Sequence, residues 1–143
     1  MKIRQISIFI ENELGRLYEV TRLLGDNKLN IRALSLADTS DFGIIRLILN
    51  NPQRAHDVLK AASFTVGINE VLAVVIPDVP GGLADVLGFL GDNKINVEYM
   101  YAFVNNSGKD AVMVFRFDDV DAALAALEKS PYTVLTEDKI FNI

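Results

Sequence analysis

An α+β fold, in which one strand–helix–strand–strand–helix–strand unit is written twice, follows from three observations on this chain. The heptapeptide Gly25-Asp26-Asn27-Lys28-Leu29-Asn30-Ile31 returns as Gly91-Asp92-Asn93-Lys94-Ile95-Asn96-Val97, an offset of 66 changed only by exchanges among branched apolar residues. The correspondence then runs through the whole sequence: Ile6, Ile8 and Ile10 fall on Leu72, Val74 and Ile76, and beyond the middle, at an offset of 68, Asn51 falls on Asp119 and Phe64-Thr65-Val66 on Tyr132-Thr133-Val134. Finally, the spacing of apolar residues switches between a period of two and a helical period in the same order in both copies. Two copies are too few for a solenoid, which needs at least three, so each is read as a compact unit, with boundaries at 1–68 and 69–143.

The first segment, 3–10, alternates Ile6, Ile8 and Ile10 with Gln5 and Ser7, the pattern of a half-buried strand. Its counterpart, 70–77, is apolar on both sides and predicts a central strand, covered on both faces or sitting at the junction between the copies. Helical spacing follows, through Leu17, Val20 and Leu24 in the first copy and Leu83, Val86, Leu87 and Leu90 in the second. These helices should stop near Asn27-Lys28 and Asn93-Lys94, where Asn is expected to take the left-handed backbone of a terminal Gly.

Residues 30–38 and 43–49 read as a hairpin turning through Asp38-Thr39-Ser40-Asp41, and 96–104 and 111–117 as its twin turning through Asn105-Asn106-Ser107-Gly108. The second copy's two extra residues fall around Asn105 to Lys109, in that turn. A second helix opens at Asn51-Pro52 and at Asp119, both N-cap residue types, and buries Ala55, Val58, Leu59 and Ala62 or Val120, Ala123, Leu124 and Leu127. A short strand at 64–66 or 132–134 closes each unit. This is the split βαβ, ferredoxin-like order, four antiparallel strands with two helices on one face. Tyr99, Tyr101 and Phe103 on one side of a strand invite cover for the other face. The tail 135–141 aligns with the link between the copies and should form a further strand or a docked tail through Ile140 and Phe141.

Composition bounds the function. Of 143 residues half are apolar, enough to bury a core in each copy. A net charge of −5 offers no clustered cationic face for phosphates, so nucleic acid is not an expected partner. No run reaches the ~18 apolar residues of a membrane span, and a cytoplasmic protein is expected. Without cysteine there is no thiolate nucleophile and no Cys-based metal site. His56, the single histidine, lies beside Asp57 on the polar side of a helix and reads as solvated. Asp118, Asp119 and Asp121 gather at a helix start, where carboxylates cap free N–H groups. No phosphate loop, nucleophile elbow or His-Glu-x-x-His motif is present. No cofactor, no metal and no catalytic set are expected.

The turn between first strand and first helix stands apart. In the second copy it reads Pro77-Asp78-Val79-Pro80-Gly81-Gly82-Leu83. Glycines let a ligand approach the backbone, first-turn N–H groups suit a carboxylate, and Asp78 suits an ammonium group, which together describe a receptor for the backbone of an α-amino acid. The same residues serve equally well as a bare tight turn.

With these residues in view, the chain resembles tandem ACT-domain proteins over essentially its full length. The resemblance rests on Asp78-Val79-Pro80-Gly81-Gly82-Leu83 followed by Asn93-Lys94-Ile95-Asn96-Val97, similar to the family's acidic or amide residue, Pro-Gly-x-Leu, helix and Gly-Ile-Asn-Ile-like strand entry. It implies paired ferredoxin-like regulatory modules that bind amino acids between a helix-entry turn of one module and a strand of the other. By that resemblance Asp78, Val79, Pro80, Gly81, Gly82 and Leu83 carry over as ligand-binding positions, with Asn96 as a further contact. The first copy's matching positions are Asn12, Leu14, Gly15, Arg16 and Asn30. It departs from the pattern where Leu14 replaces Pro and Arg16 brings a cation into the turn, and Lys28 and Lys94 stand where the family often has Gly. The implied function is a non-catalytic amino-acid sensor, a homodimer acting on a separate metabolic enzyme. Alternatives are a ligand-free dimerisation scaffold, or a small regulatory subunit like that of acetolactate synthase. Ile95, Val97, Tyr99 and Met100 suggest a branched apolar or aromatic amino acid as ligand.

Overall fold

The computed structural model describes residues 1–38, 41–103 and 109–141. Twelve elements follow one another: β1 (Ile3–Glu11), α1 (Arg16–Asp26), β2 (Ile31–Asp38), β3 (Phe42–Leu49), α2 (Pro52–Ala61), β4 (Thr65–Pro77), α3 (Gly82–Asp92), β5 (Val97–Ala102), β6 (Asp110–Phe117), α4 (Val120–Glu128), β7 (Thr133–Leu135) and α5 (Glu137–Phe141). The predicted turns at Thr39-Ser40 and Asn105-Asn106-Ser107-Gly108 lie outside the described residues. The chain divides into two compact units, Arg4–Asn69 and, with Met1–Ile3 joined to it, Glu70–Ile143.

In the first unit β1 is flanked by β3 and β4, and β2 pairs with β3. The second unit places the later half of β4 between β6 and β7, with β5 beyond β6. Registers repeat across the copies: Ile8 faces Ile45 as Val74 faces Met113. A shift between Ile31 and Ala33 recurs between Val97 and Tyr99. Such irregularities persist as local features of a fold and support a common origin for the two halves. The predicted order of strands and helices is the one observed, twice.

Each unit buries its helices against one sheet face. In the first, Ile6, Ile8 and Ile10 meet Val20 and Leu24 of α1, Ala55 and Leu59 of α2, and Ile45, Leu47 and Leu49 of β3. In the second, the same ten positions hold Leu72, Val74, Ile76, Val86, Leu90, Ala123, Leu127, Met113, Phe115 and Phe117. Only the central hairpin strand changes character, from three aliphatics to Met and two phenylalanines whose rings stack 5.6 Å apart. Leu17, Leu83 and Leu87, expected in the helix faces, are exposed instead, because the buried stripe of α1 and α3 narrows to one residue per turn.

Three other expectations are corrected. The strands expected at 64–66 and 70–77 are one 13-residue strand, β4, since nothing between Thr65 and Pro77 forces a turn. Gln5 and Ser7, expected on an open face, are 0% and 8% exposed. They are satisfied by Gln5 Nε2 donating to Ser7 Oγ and Ser7 Oγ donating to Asn69 Oδ1 at 2.6 Å, which removes most of the cost of burying them. The left-handed residues at the ends of α1 and α3 are Lys28 (φ 58°) and Lys94 (φ 59°), not the asparagines before them. Asn27 and Asn93 instead donate their side-chain amides to Leu23 O and Phe89 O and close the last helical turn, which displaces the left-handed position by one residue. The tail forms a short helix, α5, with Ile140 fully buried.

Candidate functional site

The four longer helices begin in two ways. Helices α2 and α4 are capped by side chains: Asn51 Oδ1 accepts from Arg54 N–H at 3.1 Å, and Asp119 Oδ1 from Ala122 N–H at 3.0 Å. Helices α1 and α3 start from left-handed glycines, Gly15 (φ 87°) and Gly81 (φ 85°), and carry no side-chain cap. An uncapped start leaves second- and third-position N–H groups, here those of Leu83 and Ala84 in α3, available to an anion.

The turns are pinned to the adjoining hairpin at matching points. Asn12 N–H donates to Asp41 O at 3.0 Å and Asp78 N–H to Lys109 O at 3.1 Å. Gly82 N–H is used within its own turn, donating to Val79 O at 2.9 Å, so the ligand-facing donors expected around Gly81 and Gly82 move one residue onward. Asp78, Val79, Pro80, Gly81 and Leu83 are exposed at one end of the second unit, as are Asn12, Leu14 and Gly15 in the first. Gly82 is buried, and a Cβ there would overlap the Pro77 carbonyl oxygen, so only glycine fits.

Asn96 and Asn30 do not join these turns within their own units. Each follows its helix, so Asn96 is separated from Asp78 by the length of α3, about 16 Å at 1.5 Å per residue. The Asn96 carbonyl accepts from Asp118 N–H, and Asn30 N–H donates to Asn50 Oδ1 at 3.1 Å.

Beside each turn lies a cavity that sequence reading missed. In the first unit it measures about 180 Å³ between Phe9, Ile10 and Glu11 of β1, Phe42 of β3, Ser63-Phe64-Thr65, and Arg16. In the second it measures about 390 Å³ between Val75, Ile76 and Pro77 of β4, Asp110 of β6, and Pro131-Tyr132-Thr133. Seven lining positions correspond one to one under the repeat. The eighth differs: Arg16 enters the first cavity, its guanidinium carbon 5.2 Å from the centre of the Phe64 ring and its Nη1 donating to Glu19 Oε2 at 2.8 Å, where the second copy has Gly82. The aligned aromatic pair Phe64 and Tyr132 was the signal available in the sequence.

The model of the ACT domain pair family matches residues 1–142. The chain belongs to this family. A crystal structure of a Bacteroides thetaiotaomicron protein matches this ACT pair at 38% identity over 100% of this chain and 98% of that one, with a TM-score of 0.94. The regulatory subunit of aspartate kinase from Thermus thermophilus matches at 16% identity, covering 88% of this chain and 91% of that one, TM-score 0.64. That from Thermus flavus matches at 15%, covering 88% and 90%, TM-score 0.62. The two Thermus structures share the fold. No protein with a curated description matches the ACT pair in sequence.

Other candidate chemistry resolves into structure. His56 Nδ1 lies 3.5 Å from Asp57 Oδ1 on α2. Asp119 caps α4, Asp118 Oδ1 accepts from Asp119 N–H, and Asp121 pairs with Lys2 Nζ at 2.6 Å. That bond holds the Lys2 ammonium above its usual pKa, the negative charges of Asp121 and Glu70 adding to it. Among the described residues no group of three or more His, Cys, Asp or Glu is placed to hold a metal, and no helix is long and apolar enough to cross a membrane.

Proposed function

We propose that this ACT pair is a cytoplasmic amino-acid sensor that performs no chemistry itself and regulates a separate metabolic enzyme, as a homodimer. The observation that carries the reading is the contrast among helix starts: where structure alone is served, the chain caps its helices with Asn51 and Asp119, and at α1 and α3 it places an uncapped glycine start beside an exposed Asp78 or Asn12. Uncapped N–H groups suit an α-carboxylate, and the adjacent carboxylate or amide suits an α-ammonium group. The likeness to chains described as regulatory subunits of aspartate kinase supports regulation as the role. A ligand of this kind acts by preferring one of two arrangements of the protein. The half-buried Ile95, Val97, Tyr99 and Met100 favour a branched apolar or aromatic side chain.

Thermal unfolding in the presence of each of the twenty amino acids at millimolar concentration tests the reading. A ligand specific to the native state adds about 2.7 kcal/mol of stability at a hundredfold excess over its dissociation constant. The expected result is a selective rise in midpoint that Asp78→Ala removes. No rise with any amino acid, for the chain alone and with its partner enzyme, would leave a scaffold.

A further inference from the structure

We infer that the second unit's end cavity is a binding site for a small molecule bearing a guanidinium group, independent of the amino-acid site at the helix-entry turn. The molecule itself shows what this cavity takes. In the first unit the matching space holds a guanidinium, that of Arg16, which lies over the Phe64 ring at 5.2 Å and is paired with Glu19 at 2.8 Å. A cation within about 6 Å of an aromatic centroid is attracted by the ring's negative face.

The second unit keeps both partners of that guanidinium and removes the guanidinium. Tyr132 stands at the Phe64 position and lines the cavity, and Asp85 stands at the Glu19 position in the first turn of α3. The Arg16 position is Gly82, and the Cβ that any other residue would carry is blocked by the Pro77 carbonyl. The carboxylate of the lining changes place, Pro77 standing where the first cavity has Glu11 and Asp110 where it has Phe42. An aromatic face and a carboxylate at the rim are the two elements that recognise a planar delocalised cation better than a compact ammonium. The volume follows: about 180 Å³ beside Arg16, and about 390 Å³ without it, which reaches the lower range of small-molecule sites at roughly 300–1,000 Å³.

The test is a titration of the full chain with n-butylguanidinium and with its uncharged near-isostere n-butylurea, followed by two-dimensional NMR. The expected result is saturable shifts at Val75, Tyr132 and Thr133 with the guanidinium, and binding of the urea weaker by about tenfold or more, the loss of a charge-assisted contact. Asp110→Asn, a near-isosteric change at an exposed strand start, should weaken guanidinium binding about tenfold. Tyr132→Leu should abolish the shifts, and Arg16→Ala should add a second set at Phe64. Equal binding of the urea, shifts that map away from Tyr132, or unchanged affinity in both Asp110→Asn and Tyr132→Leu overturns the assignment. Asp78→Ala is expected to leave butylguanidinium binding intact. The cavity assignment and the amino-acid reading therefore fail separately.

Discussion

The two units hold ten core positions in common, yet they spend the space beside the helix-entry turn in opposite ways. The first unit fills it with Arg16 from its own helix, and the second opens it with Gly82 and lines it with Asp110 and Tyr132. The cores differ in the other direction, with Leu47 and Leu49 in the first unit and the larger Phe115 and Phe117 at the same positions in the second. Duplication thus left the framework fixed by packing and freed the loop ends, where substitution costs little, to diverge.

The comparison breaks first in the cores. Phe115→Ala is expected to cost about 3–5 kcal/mol and Leu47→Ala about 2–5 kcal/mol, with the larger loss in the second unit because more volume is removed. Denaturant unfolding of both variants checks the order. Gly82→Ala follows: its Cβ meets the backbone of Pro77, and the overpacking should cost about 1–3 kcal/mol. Arg16→Ala, at the matching position, should cost less than ~1 kcal/mol, since the pair it breaks is largely exposed. If the two cost the same, the units do not differ in their turns as described.

Two smaller effects sharpen the view that the copies share their local strain. Lys28→Gly and Lys94→Gly should each raise stability by about 1 kcal/mol, because glycine removes the steric cost of a left-handed residue, offset by its greater freedom when unfolded. Equal gains in thermal unfolding would show that both helix ends carry the same strain. The smallest effect belongs to Lys2, whose pKa is raised by its bond to Asp121. A raised ammonium contributes stability that is full below its unfolded pKa and is lost as pH rises through the folded one. The unfolding midpoint should therefore fall slightly in the alkaline range, and Asp121→Asn should lower it slightly at neutral pH and weaken that dependence, the charge of Glu70 remaining.

Much of the fold was legible because repetition doubled every signal: a strand or helix start suggested weakly by Ile6 or Asn51 was repeated by Leu72 or Asp119. Gln5, Ser7 and the end cavity were missed because partners distant in sequence set them, and the left-handed lysines because a local side-chain bond did. Gln5 and Ser7 look like an outer face until Asn69 supplies the acceptor that lets Ser7 be buried. Lysine gives no hint of a left-handed backbone, which Asn27 and Asn93 impose by tying their side chains back into the helix. The turn residues Asp78 to Leu83 were visible as a local motif. The cavity beside them was not, because Pro77, Asp110 and Tyr132 come from three separate segments and none has a chemical signature alone. The aligned aromatic pair Phe64 and Tyr132 and the replacement of Arg16 by Gly82 marked the place only together.

That replacement also shapes what the chain can become. Position 16 accepts side chains of many kinds, so the first cavity can be emptied, reshaped or recharged by a single substitution. Position 82 accepts none until the Pro77 carbonyl turns away, so refilling the second cavity from that side needs a change of backbone before a change of residue. Descendants of this chain can acquire a second open cavity in one step, while refilling the one they already have from position 82 takes at least two.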